Sequence, residues 1–153
     1  MQKLIEVINT TRKGLIALLD GMSIEQLNDI PNGFNNNLIW HFGHVIASQQ
    51  GLCYGRAGAK PLIDEAITDK YKGGTKPEGF IDHEEYLFLK NISEETLEQL
   101  DRDLASGVFD NYQALTLSNG LEITSIKDAL AMLGMHEGVH LGYCQALKRA
   151  VTK

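Results

Sequence analysis

The chain has only two cysteines among its 153 residues, Cys53 and Cys144, and no CxxC pair. Such usage argues against a secreted disulfide scaffold and fits a reducing compartment. No run of ~18 apolar residues is present, so no membrane span is expected. The opening residues, MQKLIEVINTTRKG, include Glu6 and lack an apolar stretch of signal-peptide length. A cytoplasmic location is the expectation. Basic residues are in deficit: the formal net charge is −6, the pI about 5.3, and no run of Lys and Arg occurs. This argues against nucleic acid as a partner. Lys148 and Arg149 form a small basic group suited to the negative end of a closing helix. Internal repeats and low-complexity segments are also missing.

What remains is an ordinary globular composition, 43% hydrophobic and 22% charged. The length suits one domain, spanning 1–153, with a core that needs no staple. Leu4, Ile8, Thr11, Leu15 and Leu19 fall on one face of a first helix. Ser23 opens a short capped turn, and Ile30-Pro31-Asn32-Gly33 ends it. A second helix is expected near 36–55, with Leu38, Trp40, Val45, Ile46 and Leu52 facing inward. Residues 56–79, rich in Gly, Pro and Lys, read as a long loop, either a lid or a loose surface connection. Asp82 can cap a third helix reaching about Leu104, with Tyr86, Leu89 and Leu97 inward. Alternation around Asn119-Gly120 predicts a two-stranded hairpin within 112–124. Ser125 and Asp128 resemble a capping box for a last helix over 126–150. Four long helices in one short chain predict an all-α four-helix bundle.

The chemistry concentrates in MHEGVHLGYCQ, residues 135–145. Four residues turn a helix through about 400°, so His136 and His140 project about 40° apart. They share a face with Met132, Leu133 and Val139, which points them inward. Buried imidazoles need partners, and one metal ion would satisfy both. HEGVH fits the HExxH signature of zinc proteases, which need a third ligand, usually downstream. After His140 no His, Asp or Glu follows. The third ligand must come from upstream, where WHFGHV offers His41 and His44; spacing leaves both open. Three histidines would keep a coordination position for water or substrate.

The pairing of NLIWHFGHV with HEGVHLG, in four helices, resembles the DinB/YfiT-like superfamily of metalloenzymes over essentially the whole chain. (This family is distinct from the DNA polymerase that shares the name.) The resemblance implies His44, His136 and His140 as metal ligands and a bundle with a long crossover between its second and third helices, matching 56–79. It also implies one divalent ion, zinc or nickel, and a homodimer. The implied activity is transfer of a low-molecular-weight thiol, such as bacillithiol, mycothiol or glutathione, to a small-molecule substrate. Many relatives carry HxGQ after the last ligand; here the sequence is HLGY, with Tyr143 in the Gln position.

Around the ligands, Glu137 is a candidate general base or a carboxylate supporting a ligand, with a solvated helix charge or a salt-bridge partner as the alternatives, and Tyr143 is a candidate proton donor or a packing residue. Cys144 reads as a small core residue, with a fourth, thiolate ligand as the alternative. Cys53 and Trp40 read as core, and His83 as a cap or surface residue. Gly43, Gly138 and Gly142 would allow close helix packing around the ion. The function expected is a metal-dependent thiol transferase, with a metal-dependent hydrolase or a non-catalytic metal-binding or dimerisation module as alternatives.

Overall fold

The computed structural model describes residues 1–152. Helix α1 spans Gln2–Asp20, α2 Ile24–Asn28, α3 Leu38–Gln49, α4 Glu65–Tyr71, α5 His83–Asp103 and α6 Ile126–Val151. Strands β1 (Leu115–Thr116) and β2 (Glu122–Ile123) pair antiparallel, Leu115 opposite Ile123. The fold is mostly helical with this one small ribbon.

Helix α3 is the axis. Its sequence, LIWHFGHVIASQ, is apolar on every side, and such a helix belongs inside. All but one of its residues are buried, by α6, α4, α5 and α2. Asn37 starts it, its side chain accepting the Trp40 N–H at 2.8 Å. Its far end departs from the expected uniform helix: Gln50–Gly55 continue as a π-helical turn. Helices α1 and α6, the two ends of the chain, pack along each other more extensively than any other pair. Ser125 caps α6 through the Asp128 N–H, and Asp128 in turn accepts from the Thr124 N–H and hydroxyl. The hairpin forms around Asn119-Gly120 as expected, with Gly120 at φ 85°, a conformation that favours glycine.

Two expectations change. The segment 56–79 is not a bare loop: α4 lies within it, resting on α3, with Tyr71 buried. Gly43 makes this seating possible, because a Cβ there would come within 2.4 Å of the Tyr71 ring. Gly138 and Gly142 have no such neighbour and face open space. Nor is the α1 face purely apolar. Arg12, four residues after Ile8 and three before Leu15, points into the core beside them.

Arg12 organises a buried polar network. Its guanidinium donates to both carboxylate oxygens of Glu137 on α6, at 3.0 Å from Nε and more closely from Nη2. It also donates to Ser93 Oγ of α5 at 3.0 Å, and to the Val45 carbonyl and Gln49 Oε1 of α3 at 3.4 Å. Gln49 passes the chain on to the Thr96 carbonyl at 2.9 Å. Arg12 and Glu137 are each 1% exposed. One side chain thus joins all four long helices.

Removing one partner of such a pair strands a charge, at a cost of about 3–5 kcal/mol. Arg12→Ala is therefore expected to lower the unfolding free energy, read from denaturant titration, by that amount, and the double variant Arg12→Met, Glu137→Leu to recover most of it. Equal losses in both would show that packing volume, rather than charge, sets the cost. Gly43→Ala should destabilise by about 1–3 kcal/mol, because the base of the Tyr71 ring must move. Wild-type thermal stability in Gly43→Ala would contradict the close seating of α4.

Candidate metal centre

The two histidine pairs lie on neighbouring helices, His41 and His44 on α3 and His136 and His140 on α6. Their rings gather into one cluster: centroids are 5.1 Å apart for His44–His136, 4.9 Å for His44–His140 and 4.5 Å for His136–His140. His44, His136 and His140 each offer a ring nitrogen within 4.8 Å of the others. His41 stands behind, its Nδ1 2.8 Å from His140 Nδ1.

Each ring is steered by its surroundings. His44 Nδ1 lies 2.8 Å from the Tyr71 carbonyl, so it carries the proton and leaves Nε2 as the lone pair. Trp40 stacks on the same ring at 4.7 Å and donates its own N–H to Thr75 Oγ1 at 3.0 Å. Tyr71 thereby links the crossover helix to His44, in the arrangement by which the second nitrogen of a ligating imidazole commonly finds a carbonyl. His140 is engaged at Nδ1 by His41, which leaves Nε2 for a ligand role. His136 Nδ1 and His41 Nε2 are buried without a hydrogen-bond partner among the described residues.

The cluster suits a metal ion. His44 Nε2 and His136 Nε2 are 3.3 Å apart. Two nitrogens at about 2.0–2.1 Å from a tetrahedral zinc stand about 3.3–3.4 Å from each other. Burial keeps the donors neutral: it pushes His41 and His136 down to about 4 and His140 to about 3, with neighbouring histidines adding to the effect. Burial also lowers His44, partly offset by the Tyr71 carbonyl. Uncharged imidazoles with lone pairs at neutral pH are what a zinc or nickel ion takes.

A cleft of about 340 Å³ opens beside the cluster. His136 and Ser48 line it, and the Ser48 hydroxyl is 3.3 Å from His44 Nε2. The π-helical turn contributes Gly51 and Leu52 to the wall, and the hairpin contributes Leu115 and Leu117. A π turn inside an α-helix often marks a functional site.

Other expectations are revised. Glu137 points away from the histidines into the core, where Arg12 occupies both its oxygens. Its position four residues after Leu133, on the buried stripe of α6, was the overlooked sign. Tyr143 packs on His41 at 4.7 Å and edge-on to Phe34 at 5.6 Å, and it is not among the residues that line the cleft. Val139 does not share the buried face but is 62% exposed. Cys144 and Cys53 lie fully in the core, where burial pushes both thiols up to about 12. His83 is the exposed first residue of α5, beside the Asp82 cap. Ser48, Tyr71 and Arg12 were not singled out beforehand. Ser48, one turn after His44, was the most readable of them.

Among the described residues no helix is long and apolar enough to cross a membrane. Comparison with curated proteins finds no match. Among solved structures, a conserved protein from Enterococcus faecalis is similar at a TM-score of 0.67 and 14% identity, covering 99% of this chain and 96% of that one. That likeness concerns the fold alone. The family model of the DinB superfamily matches residues 8–144, from the first helix to beyond the last histidine. The chain belongs to the DinB superfamily.

Proposed function

We propose that His44, His136 and His140 hold one divalent ion, zinc or nickel, and that the protein is a cytoplasmic enzyme transferring a low-molecular-weight thiol to an electrophilic small molecule. The observation that carries this reading is the open side of the cluster: three convergent neutral donors next to a cleft large enough for a small molecule. Three protein ligands are the pattern of catalytic rather than closed structural sites. A bound ion supplies Lewis acidity, lowering the pKa of a thiol or water held at its remaining position.

The chain's own residues do the rest. The Tyr71 carbonyl and His41 fix the orientation of His44 and His140. The Ser48 hydroxyl, beside His44 Nε2, is placed to donate to the incoming nucleophile. Leu52, Leu115 and Leu117 exclude water from the cleft. In the transfer, the sulfur forms the new bond, the leaving group departs with its electron pair, and the thiol proton passes to solvent. The four long helices are read as the four-helix bundle of the family.

Metal content by mass spectrometry should give about one equivalent in the wild type and none in the triple variant His44→Ala, His136→Ala, His140→Ala. Cobalt-loaded protein titrated with 2-mercaptoethanol should develop a sulfur-to-cobalt absorption band, and thiol conjugation to an aryl halide should fall to background in the triple variant. Absence of bound metal at saturating zinc overturns the reading. Metal binding without a thiol band, together with ester hydrolysis lost in the triple variant, replaces it with the hydrolase.

The homodimer has a candidate face. Met135, Val139 and Tyr143, one turn apart on α6, are 53%, 62% and 41% exposed and flank the open Gly138 and Gly142. Val139→Glu should convert the dimer to a monomer by light scattering while metal content stays at one equivalent. A wild type that is monomeric at tens of micromolar removes this part of the proposal.

A further inference from the structure

The cleft beside the histidines has a charge that runs against the rest of the chain. The protein carries a net −6, yet among the described residues the lining includes Arg56 and Lys72 and no acidic side chain. Each cation is placed rather than scattered. Arg56 closes the π-helical turn, and its guanidinium is held by the Gln113 carbonyl at 2.9 Å from Nε and by the Ala114 carbonyl from Nη2. The Arg56 carbonyl accepts the Gln113 N–H at 2.7 Å, so the hairpin lead-in clamps this residue from both sides. Neutral carbonyls orient the guanidinium without cancelling its charge, and two of its five N–H donors suffice for them.

Lys72 caps α4 and also lines the cleft. Its partner is Asp69, three residues earlier, at 2.7 Å, with both side chains more than half exposed. Such a pair is weak and readily exchanged for a ligand. The residue after Lys72 touches the ligand cluster: a Cβ on Gly73 would lie 3.9 Å from His44 Cε1. Lys72 is thus one residue from a close neighbour of His44. Much of the remaining lining is apolar, including Leu52, Leu115, Leu117 and Met132.

We propose that this cleft selects a small organic anion, with its carboxylate received by the Arg56 guanidinium and its apolar body against Leu52, Leu115 and Leu117, while Lys72 adds positive charge to the same cleft. An arginine fork held in place is the preferred receiver of a carboxylate. This specificity rests on the cleft being the substrate site of the metal centre described above, but the anion preference belongs to Arg56 and is measurable without the ion.

The test is a protein-observed NMR titration of the full chain with hexanoate, hexanol and hexylamine, in zinc-loaded and in chelator-treated form. Hexanoate should bind about tenfold tighter than the other two in both forms, as a charge-assisted contact implies. Arg56→Gln, which keeps an N–H for the Gln113 carbonyl, should abolish the preference. Lys72→Gln should reduce it about threefold, within what a partly exposed charge contributes. Equal binding of the three probes, or binding of none, overturns the proposal. So does a preference confined to the zinc-loaded form and unchanged in Arg56→Gln, because the carboxylate would then sit on the metal; that result would still support the metal site. A preference present in a chain that binds no zinc upholds the anion site and rejects the metal reading instead.

Discussion

The contact between Arg12 and Glu137 is the constraint on which the rest of the molecule depends. It joins the first and last helices across 125 residues of sequence and draws α3 and α5 into the same network. A buried ion pair adds little net stability compared with a well-packed apolar pair, but it tolerates few alternative registers. Sliding α6 by one turn along α1 would leave both charges unpaired in the core. Glu137 directly follows His136, so the register that pairs the carboxylate also sets the histidines of α6 level with His44. Here the polar network of the core and the histidine cluster are two outputs of one alignment.

The centre itself is held from two directions. On one side the crossover helix presents the Tyr71 carbonyl to His44; on the other, His41 braces His140. The second contact lies within the α3–α6 pair that carries the histidine cluster, whereas the first is brought in from outside it by α4. The crossover can reach His44 because Gly43 has no side chain to keep Tyr71 off. A residue chosen for its smallness on α3 thus governs the direction of the ring next to it.

Much of this was legible beforehand. The helical periods, the Asp82 and Ser125 starts and the Asn119-Gly120 turn are local features, and each forms as its residues suggest. His136 and His140 were readable as a pair for the same reason. The choice between His41 and His44 was not, since both lie on a helix buried all round, and no period distinguishes one inward side from another. Arg12 escaped, and Glu137 was left open between a catalytic base, a solvated charge and a salt-bridge partner, because a charge on a helix is ordinarily a sign of solvent. Their positions on two apolar stripes carry the opposite message only when both stripes are considered together. Helix α4 escaped because Gly, Pro and Lys around it read as loop, while its anchor, Tyr71, is a single aromatic with no periodic companions.

The dominance of the α1–α6 contact also bears on how the molecule comes into being. On the ribosome, α1 emerges well before α6 and waits for it. Until α6 arrives, Arg12 lacks its counter-charge and α3, buried along almost its whole length in the folded chain, lacks its largest cover. Closing so long a loop is a slow, entropically costly event, unlike the zipping of neighbouring helices. Two of the three histidines lie on that final segment. Ion capture would then be a late event in biogenesis, and a chain cut short before residue 136 would have neither a closed core nor a place for the ion.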